Sequence, residues 1–197
     1  MIQKTATFFS VLFHPLFLFF YLILYLVYYT DLFMLYRYSP NLWMFLLYVF
    51  VNTIVIPIIL ILFYSRDLML KNKENRTIPY FIMIIVYAFM LFFFIKFYIS
   101  ALVLRLLLSL IIGLICLTII NIFHKSSLHT FAMGTLLAFF IRIYFIQPGM
   151  FFYPLMIMLL LAGIIGSARL ALGAHTKSEL FTGYGIGTVV TLIVLFI

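Results

Sequence analysis

An arginine, a histidine and a glutamate follow one another in a polar stretch between two long apolar runs near the end of the chain. Arg169 precedes His175 by six residues, and Glu179 follows His175 by four. Because residues four apart on a helix share one face, the carboxylate of Glu179 can hold the imidazole ring of His175 by a hydrogen bond. A histidine oriented by a carboxylate and facing an arginine suits attack on an anionic phosphorus centre.

The same stretch also has a purely structural interpretation. Thr176 and Glu179 have the spacing of a capping box, in which Glu179 closes the first turn of the last helix. Arg169 can equally be an interfacial cation that extends its side chain to lipid headgroups. The spacing by itself leaves both interpretations open.

The composition defines the surroundings in which these residues act. The chain has 197 residues, of which 68% are hydrophobic and 8% charged. A soluble domain of this length cannot bury so much apolar surface, so the composition predicts a polytopic membrane protein. We expect an all-α membrane bundle of six or seven transmembrane helices that forms a single integral membrane domain over residues 1–197. The apolar runs that predict the spans are 8–29, 42–64, 79–97, 101–123, 130–145, 150–165 and 179–197.

Two further polar stretches interrupt the apolar runs. Residues 65–79 are the most charged part of the chain and contain Lys73 and Arg76, and residues 124–129 contain Ser127 and His129. Two predicted spans separate the first stretch from the second, and two more separate the second from the stretch around His175. All three polar stretches should therefore lie on the same side of the membrane, as a shared site requires.

The three stretches together resemble the signatures of a known family, the type-2 phosphatidic acid phosphatases of the lipid phosphate phosphatase and vanadium haloperoxidase superfamily, in a divergent bacterial form. The third family signature reads Ser-Arg-x5-His-x3-Asp, and Arg169-x5-His175-x3-Glu179 is similar to it, with Ala168 in place of the serine and Glu179 in place of the aspartate. The resemblance covers residues 65–190, which would form a phosphatase-like core.

The other two signatures match in the same order along the chain. Ser126-Ser127-Leu128-His129 resembles the second signature, Pro-Ser-Gly-His, with Ser126 and Leu128 as departures. Lys73-x2-Arg76-x2-Pro79 resembles a shortened form of the first, Lys-x6-Arg-Pro, with two residues inserted before the proline.

The resemblance implies a role for each matched residue. His175 would attack phosphorus to form a phosphohistidine, with Glu179 fixing its tautomer. His129 would protonate the leaving oxygen and then activate water. The phosphoryl oxygens would be held by a set of donors that also includes backbone N–H groups at the start of the fifth predicted helix: Lys73, Arg76, Ser127 and Arg169.

The resemblance also implies the partners of the protein. The substrate would be a lipid phosphate or diphosphate taken from the bilayer, such as undecaprenyl diphosphate, phosphatidylglycerol phosphate, phosphatidic acid or a lipid A phosphate. Members of the family need no metal or other cofactor, and the sequence has no metal-ligand spacing. The formal charge of +8 is carried by short connections between spans, which favours anionic lipid over nucleic acid.

Each polar stretch has an alternative explanation. The serines can cap the fifth helix, His129 can be an interfacial histidine, and the basic stretch can be an ordinary cytoplasmic loop. If these hold, the chain is a non-catalytic relative that binds anionic lipid or acts as a membrane scaffold. A transporter is a third possibility, although the chain is short and has no evident inverted repeat.

The charge distribution gives an ambiguous orientation. The predicted side with the three stretches carries eight cations and the other side four. Without the candidate ligands Lys73, Arg76 and Arg169 the counts are five and four, which removes most of the positive-inside signal. Since bacterial relatives usually face outward, the resemblance favours an active site on the periplasmic face of a bacterial inner membrane.

Overall fold

The computed structural model describes residues 2–65 and 76–197, and these residues form helices and their connections without a β-strand. The long predicted spans are all helical. The helices are α1 (Ile2–Leu12), α2 (Pro15–Tyr29), α3 (Met34–Arg37), α4 (Leu42–Phe50), α5 (Ile56–Ser65), α6 (Thr77–Lys96), α7 (Ala101–Phe123), α8 (Leu128–Ile146), α9 (Pro148–Ala171) and α10 (Lys177–Phe196). A 3-10 turn, Asp31–Phe33, precedes α3, and a π-helical segment, Val51–Val55, joins α4 to α5.

Six of the described helical segments are long and apolar enough to cross a membrane, and the bent pair α1–α2 is a seventh if it counts as one span. The α4–π–α5 unit crosses as one segment, Leu42–Tyr64. The predicted all-α membrane bundle is confirmed, and the protein is an integral membrane protein.

The first predicted span differs from the continuous helix expected over residues 8–29. The chain breaks between Leu12 and Pro15, and the axes of α1 and α2 differ by 59°. His14 caps the new helix through its Nδ1, which accepts a hydrogen bond from the Leu16 N–H at 3.4 Å. Pro15 follows at the position where a helix tolerates proline, because the N–H it lacks has no partner within the helix there. The 11-residue helix α1 is about 16 Å long, too short to cross by itself, and it packs against α9.

Helix α8 is the centre of the bundle. In its membrane-spanning window 67% of the residues are buried, against 22–44% in the other five long spans. The helix packs against both α9 and α10. The contact with α10 depends on Gly183 and Gly187, where an added Cβ would clash with Thr130 and with the Phe131 carbonyl, respectively. The Gly-xxx-Gly spacing of these two residues therefore serves close helix packing. This packing brings the first turns of α8 and α10 together.

Candidate functional site

The polar stretch around His175 is a short connection that begins later than the sequence predicts. Helix α9 continues past residue 165 to Ala171, so Arg169 lies on its last turn. Gly173 then adopts a φ of +60°, a conformation that glycine takes without steric cost. The Ala174 N–H donates to the Arg169 carbonyl at 3.1 Å, closing the turn. As a result Arg169 and His175 are held at the same end of the bundle.

The side chain of Glu179 contacts His175, and the cap of α10 is supplied by Thr176. The carboxylate Oε2 of Glu179 lies 2.6 Å from Nδ1 of His175, and the backbone N–H of Glu179 donates to Oγ1 of Thr176 at 3.3 Å. The side chain of His175 is only 2% exposed. Because Nδ1 donates a hydrogen bond to the carboxylate, the neutral ring carries its proton on Nδ1 and its lone pair on Nε2. The predicted orientation of His175 by Glu179 is present.

The surroundings of His175 favour its neutral form. Burial lowers the pKa of His175 below its ordinary value of 6.5, and the hydrogen bond to Glu179 opposes this shift. The positive charges of Arg76, Arg169 and Lys125 lower the pKa further. The ring is therefore unprotonated near neutral pH and has a lone pair available for attack.

Ser127 directly precedes helix α8, and hydrogen bonds connect the start of this helix to the start of α10. The Ser127 N–H donates to the Glu179 carbonyl at 3.2 Å, and Oγ1 of Thr130 donates to the Leu180 carbonyl at 3.0 Å. The Ser127 hydroxyl accepts a hydrogen bond from the Thr130 N–H at 3.5 Å, so Ser127 is the N-cap of α8. Its N–H is thus used within the protein and its hydroxyl accepts the capping bond, as the capping interpretation of Ser127 requires, while the O–H of Ser127 is still available as a donor.

His129 is buried on the first turn of α8, with 5% of its surface exposed. Its Nε2 lies 3.1 Å from the Ser10 carbonyl, which can only accept, so Nε2 carries a proton. Nδ1 is therefore the nitrogen left for proton transfer. The ring of His14 packs edge-on against His129, with ring centroids 5.2 Å apart. His129 and His175 are near enough for their charges to interact.

Arg76 connects the first polar stretch to the second. Its Nη1 donates to the Ser126 carbonyl at 2.6 Å, and its side chain is also bonded to Tyr80. Arg76 is 3% exposed and lies close to Arg169. Lys73, the other candidate of this stretch, lies outside the described residues.

Arg76 and Arg169 meet at a partly open cavity of about 550 Å³. Its wall comes from α1, from the start of α6, from the last turn of α9 and from the connections that precede α8 and α10. The lining residues are Thr7, Ser10, Arg76, Lys125, Arg169, Leu172, Gly173 and Ala174. Neither His129 nor His175 is among them, although His175 is close enough to Arg76, Lys125 and Arg169 for their charges to act on it.

Two donors beside this cavity have no partner among the described residues. Nε of Arg169 and Oγ of Ser126 are buried without a hydrogen bond, although the two residues are only 4% and 1% exposed. Buried donors are almost always satisfied, so unpaired donors near a cavity indicate a missing acceptor. An anion or water in the cavity would supply it.

Two residues of this site, Lys125 and Ser10, were not predicted. Nζ of Lys125 donates to the Ala174 carbonyl at 3.1 Å and lies 3.9 Å from Oε2 of Glu179. Its position directly before Ser126 and Ser127, on the side shared by the three stretches, is the signal that could have identified it. Nothing local in the sequence marks Ser10, which comes from α1.

Comparison with protein-family models, with curated proteins and with solved structures finds no match to this chain. Among residues 2–65 and 76–197, no group of three or more His, Cys, Asp or Glu side chains could hold a metal ion.

Proposed function

We propose that this protein is an integral membrane phosphatase that hydrolyses a lipid phosphate or diphosphate through a phosphohistidine intermediate. The observation that carries the proposal is the His175–Glu179 pair, joined at 2.6 Å and close to the three cations that line the cavity, Arg76, Lys125 and Arg169. A neutral, carboxylate-oriented imidazole next to three cations is what attack on a phosphoryl group requires.

In the first step, Nε2 of His175 attacks phosphorus. The N–P bond forms as the bond from phosphorus to the leaving oxygen breaks, and protonated His129 gives its Nδ1 proton to that oxygen. The negative charge of the bound phosphoryl group stabilises the protonated ring of His129 before the transfer. Glu179 stabilises the positive charge that develops on His175.

In the second step, neutral His129 takes a proton from water through Nδ1 while the water oxygen attacks phosphorus. The N–P bond breaks, its electron pair returns to Nε2 of His175, and inorganic phosphate is released. His129 is then protonated again, as it was at the start of the cycle.

The cationic wall supplies the electrostatic part of catalysis. Arg76 and Arg169 are buried, so their charges act on the phosphoryl oxygens with little screening by water. The site lies at the ends of membrane-spanning helices, where a lipid phosphate can enter from the bilayer. The substrate classes are those that the family resemblance suggests, and the setting proposed for them is the periplasmic face of a bacterial inner membrane.

A second candidate function is the binding of an anionic lipid without hydrolysis. The specific observation in its favour is that His129 and His175 do not line the cavity, while the cations do. In that case the phosphoryl group would be held by the cationic wall and would not reach Nε2 of His175.

The test is phosphate release by purified protein from a panel of lipid phosphates and diphosphates, with EDTA present. We expect release by the wild type that is lost in His175→Ala and retained in His124→Ala. His124 is a matched control because it is a histidine of the same polar stretch as His129 and has no role in the proposed reaction. No release from any lipid by folded protein, together with binding of anionic vesicles, would support the lipid-binding alternative.

A further inference from the structure

Helix α1 brings a buried serine to the centre of the candidate site. Ser10 is fully buried and forms part of the cavity wall. It contacts two predicted site residues that are more than a hundred positions away in the chain. Its carbonyl accepts from Nε2 of His129 at 3.1 Å, and its hydroxyl accepts from Nη1 of Arg169 at 3.3 Å.

The hydrogen bonds of Ser10 are incomplete in a specific way. A serine hydroxyl has one O–H donor and two acceptor lone pairs. Within residues 2–65 and 76–197, Oγ of Ser10 accepts a hydrogen bond and donates none. Buried helical serines commonly donate to a carbonyl of their own helix. Ser109 does so here, since its hydroxyl donates to the Leu106 carbonyl at 2.7 Å.

The O–H of Ser10 therefore has no acceptor within the described residues, and an acceptor in the cavity would complete its hydrogen bonds. The bond from the Arg169 guanidinium polarises the hydroxyl and strengthens its O–H as a donor. The same cavity also has the unpaired Nε of Arg169 beside it, and its wall carries the charges of Arg76 and Lys125. A phosphoryl oxygen in the cavity would supply an acceptor for the O–H of Ser10 and for Nε of Arg169.

We propose that Ser10 is a phosphoryl-binding residue, whose O–H donates to an oxygen of the phosphate in the cavity while its lone pair positions Arg169. The carbonyl of Ser10 fixes the tautomer of His129 and leaves Nδ1 for proton transfer. This assignment rests on the proposed function. It makes α1 part of the functional site, although the residues that resemble the family signatures lie far from α1 in the sequence.

The experiment compares Ser10→Ala with Ser109→Ala. Both substitutions remove one hydroxyl from a fully buried helical serine, and the hydroxyl of Ser109 has two hydrogen bonds where that of Ser10 has one, so a purely structural loss should be at least as large in Ser109→Ala. We expect Ser10→Ala to raise KM for the lipid phosphate and the inhibition constant of inorganic phosphate on the order of tenfold, with a smaller effect on kcat. Ser10→Thr keeps the hydroxyl and should recover most of the affinity. Equal constants in the two alanine variants would overturn the assignment.

A binding measurement separates this assignment from the proposed function. Calorimetric titration of the full chain with inorganic phosphate, and with vesicles containing phosphatidic acid, reports occupancy without turnover. If the wild type binds phosphate in a Ser10-dependent way but hydrolyses nothing, the assignment stands and the proposed function fails. If the wild type hydrolyses lipid phosphate and Ser10→Ala binds as tightly as Ser109→Ala, the assignment alone fails. If the wild type binds no phosphate in either titration, the assignment of Ser10 as a phosphoryl-binding residue is wrong.

Discussion

The substitution Glu179→Gln tests whether the carboxylate does more than close a helix turn. Gln has nearly the same shape, so it removes the negative charge that faces Nδ1 of His175 and little else. The backbone N–H of Glu179 keeps its hydrogen bond to Thr176, because that bond does not involve the side chain. The helix cap is therefore preserved while the charge is lost.

The size of the effect follows from the 2.6 Å hydrogen bond between Nδ1 of His175 and Oε2 of Glu179. His175 becomes positively charged as it attacks phosphorus, and a hydrogen bond to a charged group contributes about 1.5–3 kcal/mol. Its loss corresponds to a decrease in kcat of roughly 10- to 150-fold, since about 1.4 kcal/mol is one factor of ten. The loss of stability should stay near 1 kcal/mol, as for a helix cap.

The pH profile gives a second, independent result. In the proposed mechanism the nucleophile is neutral His175, so activity should be lost as the pH falls through the pKa of His175 in the folded protein. Burial lowers that pKa and Glu179 raises it. Without the carboxylate the pKa falls further, so the acid limb of kcat/KM should move to lower pH in Glu179→Gln.

The assay is phosphate release from the preferred lipid at pH values from below 4 up to 8, because burial lowers the pKa of His175 to about 4, together with thermal unfolding of each variant. Thr176→Ala is the matched control, because it removes the cap of α10 and leaves the His175–Glu179 pair in place. We expect Thr176→Ala to lower the unfolding temperature and to keep its acid limb at the wild-type position. A Glu179→Gln variant with wild-type kcat, or a rate loss equal to that of Thr176→Ala, would refute the orienting role.

Two further predictions concern the cationic wall and the helix contact behind it. Lys125→Met removes a positive charge that lowers the pKa of His175, so the acid limb should move to higher pH, the opposite direction to Glu179→Gln. Lys177→Met removes an exposed cation and should leave the acid limb unchanged. A shift to lower pH in Lys125→Met would contradict the electrostatic account. Gly183→Ala forces a Cβ against α8 and should destabilise the protein by about 1–3 kcal/mol in a thermal or denaturant titration, whereas Gly185→Ala has open space and should be tolerated. Equal unfolding midpoints for these two variants would show that α8 and α10 do not depend on close contact at Gly183.

The spans and the common side of the polar stretches could be predicted because both follow from local properties of the chain. Apolar runs of about 20 residues define membrane helices. Counting these spans predicts that residues 65–79, residues 124–129 and the stretch around His175 lie at the same end of the bundle. The contact of Arg76 with the Ser126 carbonyl and the hydrogen bond of Ser127 to Glu179 agree with that count.

The contribution of α1 could not be predicted, because it depends on a bend and on packing between distant segments. An uninterrupted helix over residues 8–29 would direct Ser10 along the axis of α2 and away from Arg169. The break at His14 and Pro15 turns α1 by 59° onto α9, and this turn brings Ser10 to Arg169. The sequence marks the break with proline, but it does not specify the direction of the turn.

The side chains that line the cavity in the described part of the chain include three cations, and this positive wall favours an anionic ligand under either proposed function. Arg76, Lys125 and Arg169 line one cavity, and the carboxylate beside them is Glu179, 3.9 Å from Lys125. Cations buried at membrane depth are costly unless they are paired. Glu179 is already bonded to His175, so it offsets only part of this cost. A phosphoryl group supplies both the missing charge and the acceptors for Nε of Arg169 and the hydroxyl of Ser10. Under the proposed function a bound phosphate would stabilise the site, and catalysis would then depend on whether Nε2 of His175 reaches the phosphorus atom.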